Sequence, residues 1–153
     1  AAGFVAALSP LNSWDTQLAY TPPSLAACLE LQRAGRRVHE GIRGPGFFSN
    51  KDKAARIFQG ENPLDVLGGD KVRSFFRNLT GDLAAVTIDR HAVAIVGWNA
   101  SLTSRAYARL SFVYAEAGKP FGLAPAECQA LTWNHWRLNH AAHAAANQRR
   151  AEV

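Results

Sequence analysis

Residues 66–92 read V-L-G-G-D-K-V-R-S-F-F-R-N-L-T-G-D-L-A-A-V-T-I-D-R-H-A, and how this stretch folds decides the architecture. Gly68 and Gly69 permit a tight backbone turn. Val72, Phe75, Phe76 and Leu79 follow at i, i+3, i+4 and i+7, the period of a helix with one buried face. Lys71 then falls in the first turn of that helix. A second apolar segment opens at Ile88 with Asp89 at its start, where a carboxylate caps free backbone N–H groups and still reaches a cleft. The expectation is a glycine turn with a lysine beside it and, 18 residues later, an aspartate facing the same site.

Outward from this stretch the pattern is helical throughout. Upstream, Ser49 or Asn50 is expected to cap a helix from Lys51 to Gln59, and Asn62 a short one through Leu67. Pro22, Pro23 and Ser24 mark a helix start, with Leu25, Cys28, Leu29 and Gln32 following until Gly35. Ala2 to Leu8 reads as the end of a helix that starts upstream, and residues 38–50 as an irregular loop. Arg43 lies there in Gly41-Ile42-Arg43-Gly44-Pro45-Gly46, which lacks the G-K-[ST] ending of a phosphate-binding loop and reads as a turn. Downstream, a connector over 82–87 leads to a helix from Asp89 to Trp98. Another follows from Thr103 to Ala117, stopped by Gly118 and Pro120. Pro125 opens a long alanine-rich helix to about Gln148. The fold class is all-α, and no repeat or low-complexity linker divides the 153 residues into more than one domain.

Composition narrows the function classes. Hydrophobic residues make up 48% of the chain, enough to build a core. No apolar run approaches the ~20 residues that a membrane span needs. Cys28 and Cys128 sit on expected helices and read as buried free thiols, which fits a reducing cytoplasm. Lys plus Arg exceed Asp plus Glu by 17 to 12, a formal +5 that favours polyanionic partners. That charge lies in small groups: Arg33, Arg36 and Arg37; Lys51, Lys53 and Arg56; Lys71, Arg73 and Arg77; Arg149 and Arg150.

Leu67-Gly68-Gly69-Asp70-Lys71, followed by Ile88-Asp89-Arg90-His91, resembles the hairpin and the V-D-x-H aspartate of the helix-hairpin-helix DNA glycosylase superfamily, which includes endonuclease III and the 8-oxoguanine glycosylases. Lys53-Ala54-Ala55-Arg56-Ile57-Phe58 is similar to the K-A-x-x-I helix that precedes the family hairpin. Ala7-Leu8-Ser9-Pro10 is similar to the L-S-x-Q turn near the start of the core. The resemblance covers most of residues 5 to 117. It implies a single helix-hairpin-helix domain that binds double-stranded DNA and cleaves the N-glycosidic bond of a damaged or modified base, with lyase activity as an option. Two cysteines cannot hold the four-cysteine iron-sulfur cluster of many relatives, so no cofactor is expected. The wording of Ala7-Leu8-Ser9-Pro10, Thr87-Ile88-Asp89-Arg90-His91-Ala92 and Gln129–Arg137 resembles a small phage or actinobacterial branch, some members of which act on hypermodified bases.

The site residues follow from chemistry and resemblance together. Cleaving an N-glycosidic bond builds positive charge on the sugar, so a carboxylate near C1′ stabilises the transition state and can activate the nucleophile. Asp89 takes that role. Lys71 is the candidate amine nucleophile for a Schiff-base route. Gly68 and Gly69 offer backbone N–H groups to a DNA phosphate, helped by Lys51, Lys53 and Arg73, while the target base leaves the stack. Leu11 and Asn12 stand where family members carry a wedge glutamine. Trp133 and Trp136 on the last helix can wall the base pocket. His91 is expected to be structural, and His140 with His143 lack the acidic or thiol partners of a metal site. Asp70 departs from the pattern, since its charge weakens a phosphate contact. Two further readings stay open: an enzyme of phage hypermodified-base metabolism on the same fold, and a non-catalytic module that binds DNA or protein.

Overall fold

The computed structural model describes residues 1–10 and 12–151, with side chains described through residue 139. Leu11, and the side chains of His140 and His143, lie outside that range. Among the described residues eight α-helices follow in order: α1 (Ala2–Leu8), α2 (Trp14–Arg33), α3 (Phe48–Phe58), α4 (Pro63–Val66), α5 (Asp70–Leu79), α6 (Arg90–Ile95), α7 (Ser104–Gly118) and α8 (Pro125–Ala151). Short 3-10 turns at Val38–Gly41 and Lys119–Phe121 complete the regular structure. Among the described residues there is no strand, so the fold is all-α. Two compact units divide the chain, Ala1–Thr80 and Gly81–Val153.

In the first unit α1 is the central element. Its sequence AGFVAAL is apolar all round, and a helix of that kind must be buried on most sides. Phe4, Ala6, Ala7 and Leu8 are all buried, with α1 packed on α3 and α5. Val72, Phe75 and Phe76 of α5 close over this core, as the 3.6-residue period predicts. Gly3 permits the closest approach: a Cβ there would lie 2.7 Å from Cγ of Pro63, the first residue of α4. Cys28 is buried and free, and burial pushes its thiol pKa up, as expected for an inert core cysteine.

Two helix starts differ from the sequence-based expectation. The helix expected to begin at Pro22 instead begins at Trp14, capped by Ser13 Oγ, which accepts from Thr16 N at 3.1 Å, and it runs through Pro22 and Pro23. The buried face of α2 is polar, which hides it from any search for an apolar stripe. Gln17, Thr21, Ser24 and Cys28 recur at helical spacing and face inward. Gln17 Nε2 donates to Leu8 O at 2.6 Å, Thr21 Oγ1 to Gln17 Oε1 at 3.0 Å, and Ser24 Oγ accepts from Arg43 N at 2.9 Å. Ser24 therefore anchors a loop rather than opening a helix. Likewise α3 starts at Phe48 with Phe47 as N-cap and no side-chain cap, not at Lys51 under Ser49 or Asn50. Asn62 caps α4 as expected, its Oδ1 accepting from Leu64 N at 3.1 Å.

The second unit is built on α7 and α8. Tyr107, Leu110 and Tyr114 of α7 meet Cys128 of α8, and Val86, Ile88 and Ala92 from the connector and α6 fill the space between. Gly118 ends α7 at a close approach, where a Cβ would lie 2.7 Å from Leu123 O. α6 is shorter than expected. It ends at Ile95, and Gly97 turns the chain with φ +66° before Trp98.

Candidate functional site

Gly69 is the N-cap of α5 and has φ +76°, a value that strains any residue with a Cβ. A glycine cap has no side chain to bond the first amides of the helix, so α5 starts without side-chain capping. Gly68, Gly69, Asp70 and Lys71 are all exposed. The N-terminal end of a ten-residue helix therefore opens to the outside.

Side chains from α3 and α5 converge on this turn. Lys53 Nζ lies 3.6 Å from the point a Gly68 Cβ would occupy. Arg73 Nε donates to Leu67 O at 2.8 Å, locking the chain as it enters the turn. Of the residues expected to contact DNA, Gly68, Gly69, Lys53 and Arg73 thus come together, with Arg73 serving the turn itself. Lys51 lies two residues before Lys53, about 200° round α3, so it does not share that face. Asn12 is committed elsewhere: its Nδ2 donates to Leu8 O at 2.8 Å and Pro45 O at 3.3 Å. It also lines an open depression of about 340 Å³ with Pro10, Pro45, Gly46 and Phe47.

In the second unit Asp89 is the N-cap of α6. Its Oδ1 accepts from His91 N at 3.0 Å and Ala92 N at 2.8 Å, and the residue is half-buried. The cap lies where the local sequence places it. Tyr114 Oη donates to Ala92 O at 3.1 Å. Burial raises the Tyr114 phenol to about 12, the negative charge of Asp89 adds to the rise, and a hydrogen bond with Thr132 opposes it. The hydroxyl thus stays protonated and donating.

His91 turns its ring toward α8, tilted against Trp136 at 5.0 Å between centroids and edge-on to Trp133 at 6.4 Å. Arg137 lies over the Trp133 ring at 4.7 Å. The two tryptophans expected in a base pocket therefore stand beside the helix that Asp89 caps, through His91. That histidine packs against both indole rings.

Residues 1–140 match a family of unknown function, DUF7178. The chain belongs to that family. No curated protein and no solved structure matches it. In this DUF7178 member the glycine turn, the capping aspartate and the paired tryptophans all fall inside the matched span.

Sequence reading missed Tyr107 and Gln129, the two side chains that hold the backbone leading to Asp89. Tyr107 Oη donates to Val86 O at 2.7 Å and accepts from Ile88 N at 3.0 Å. Gln129 Oε1 accepts from Thr87 N at 2.9 Å, and its Nε2 donates to Thr87 O. These contacts span up to 42 residues, and no local motif encodes them. Among the described residues, no helix is long and apolar enough to cross a membrane.

Proposed function

We propose that this DUF7178 member binds double-stranded DNA through the Gly68–Gly69 turn and acts on the N-glycosidic bond of a modified or damaged base through Asp89. One observation carries the binding: the start of α5 is uncapped by any side chain, exposed, and flanked by the Lys53 ammonium. Free helix-terminal amides with a cation alongside suit a phosphate and read no sequence. The Ile88-Asp89-Arg90-His91 resemblance supports the cleavage. In that reaction the C1′–N bond breaks, the base departs with the bonding pair, and charge builds on the sugar. Asp89 faces that charge and takes a proton from the attacking water. Lys71, exposed in the first turn of α5, is the alternative nucleophile, attacking C1′ as a free amine to form an imine. Borohydride trapping separates the two routes, because only the amine route leaves a covalent adduct.

Duplex binding measured by fluorescence anisotropy across a salt series tests the reading. Affinity should fall steeply with salt, and Lys53→Ala should lower both the affinity and the salt slope, the slope by about one counterion. Asp70→Asn should raise affinity, since it removes a negative charge from the turn. Absence of binding at low salt, or indifference to both substitutions, counts against DNA as the partner. Base release is scored on a panel of modified-base duplexes, with Asp89→Asn as the control. Full activity in that variant would remove Asp89 from the chemistry.

A further inference from the structure

The backbone that delivers Asp89 is held by side chains of two different helices. Val86, Thr87 and Ile88 lie in no strand. In an extended segment, successive peptide groups point to opposite edges. Here each edge meets one side chain. Gln129 of α8 takes the N–H and C=O of Thr87 on one edge, and the Tyr107 hydroxyl of α7 takes Val86 O and Ile88 N on the other. Two side chains thus do what two neighbouring strands would do. Val86 and Ile88 are buried at 2% and 0% exposure, which fixes the segment in rotation as well as in height. On the far side of Asp89, Tyr114 holds Ala92 O. The aspartate therefore stands between two stretches of backbone, the first fastened by side chains of α7 and α8 and the second by Tyr114 of α7.

Capping a six-residue helix needs only the carboxylate and two amides. A buried connector needs partners for its remaining peptide groups, and backbone or fixed water could supply them as well as side chains. Devoting a buried tyrosine and a glutamine to three residues makes sense where the direction of the following side chain matters. A misplacement of about 1 Å at a reacting centre costs up to about a hundredfold in rate. We propose that Tyr107 and Gln129 are positioning residues that aim the Asp89 carboxylate at the positive charge developing on a bound sugar. This rests on the reading of Asp89 given above.

The test needs no knowledge of the target base. Two duplexes are compared, one carrying a neutral tetrahydrofuran abasic analogue and the other a pyrrolidine analogue whose ring nitrogen bears the positive charge of the transition state. A carboxylate correctly aimed at the sugar binds the cationic duplex more tightly, and the ratio of the two affinities reads the aim alone. The wild type should prefer pyrrolidine, and Asp89→Asn should abolish the preference. Tyr107→Phe and Gln129→Met should each cut the preference by about tenfold or more while leaving tetrahydrofuran affinity within about twofold. Gln129 is only half-buried, so water can replace it at Thr87 and its variant should fold even if Tyr107→Phe does not. A wild-type preference that is lost in Asp89→Asn but kept in a folded Gln129→Met overturns the positioning role and leaves the reading of Asp89 intact. A wild type without any preference overturns both. Equal loss of affinity for the two duplexes in Gln129→Met would make the glutamine merely structural, and would also overturn the proposal.

Discussion

Two short connectors in this chain each lead into a helix, and they end in opposite ways. At Gly68–Gly69 the backbone enters α5 through a positive φ, with a cap that has no side chain and with exposed residues on both sides. At Val86–Asp89 the backbone enters α6 with peptide groups bonded by Tyr107 and Gln129, and with its first amides bonded by Asp89. The first leaves its donors without a side-chain cap and exposed to solvent. The second spends them internally and presents one half-buried carboxylate instead. An open helix start suits an anion held without discrimination, and a clamped one suits a charged group whose direction must be kept.

The sharpest way to break the clamped connector is from beneath. Ile88 is fully buried, so Ile88→Ala should cost about 3 kcal/mol of unfolding free energy by urea titration, whereas a loosely held segment would collapse around the gap at much lower cost. High pH attacks the same region through Tyr114. Its folded pKa of about 12 lies above the ordinary 10, so the neutral form is favoured by folding. The associated stability is complete below about pH 10 and is lost as pH rises through about 12, at most about 2 to 3 kcal/mol. Tyr114→Phe should flatten that limb of the stability profile. A profile that is unchanged by the substitution would mean that the hydroxyl is not held as described.

The caps themselves should differ by smaller amounts. Asp89→Ala removes the acceptor for two amides and should cost about 1 to 2 kcal/mol, while Asp89→Asn, itself a good cap, should cost only a fraction of that. Equal losses in the two variants would show that charge, not capping, supports α6. At the open connector Gly69→Ala should cost about 1 kcal/mol through its left-handed φ alone. Gly68→Ala should be close to neutral in stability, because its Cβ would meet only the mobile end of Lys53. If Gly68→Ala destabilises as much as Gly69→Ala, the turn is tighter than its geometry implies.

Features carried by neighbouring residues could be read directly from the chain. The period of Val72, Phe75 and Phe76 placed α5, the glycine pair placed its start, and Asn62 and Asp89 marked two caps that form as expected. Pro125 opened α8 at its first residue. Such signals are legible because a cap or a turn is settled within three or four residues, by bonds whose partners sit next to one another in the sequence. α2 was misjudged for a related reason: its inward stripe of Gln17, Thr21, Ser24 and Cys28 carries almost no hydrophobic signal, so the two prolines looked like a beginning. Its buried polar groups make sense only once Leu8 O, Arg43 N and Val38 O are known to lie opposite.

The sequence by itself determined an all-α chain, the glycine turn before α5 and the aspartate cap of α6, since each depends on local backbone preference and helical period. Only the tertiary structure decided which donors remain open and which are spent. Lys53 reaches Gly68 because α3 and α5 both pack on the buried α1. Tyr107 and Gln129 reach Val86–Ile88 because α7 and α8 pack around the second core. Hydrogen bonds over 19 to 42 residues leave no periodic trace in a sequence, because the chain between their ends is free to be anything that folds back to the same place.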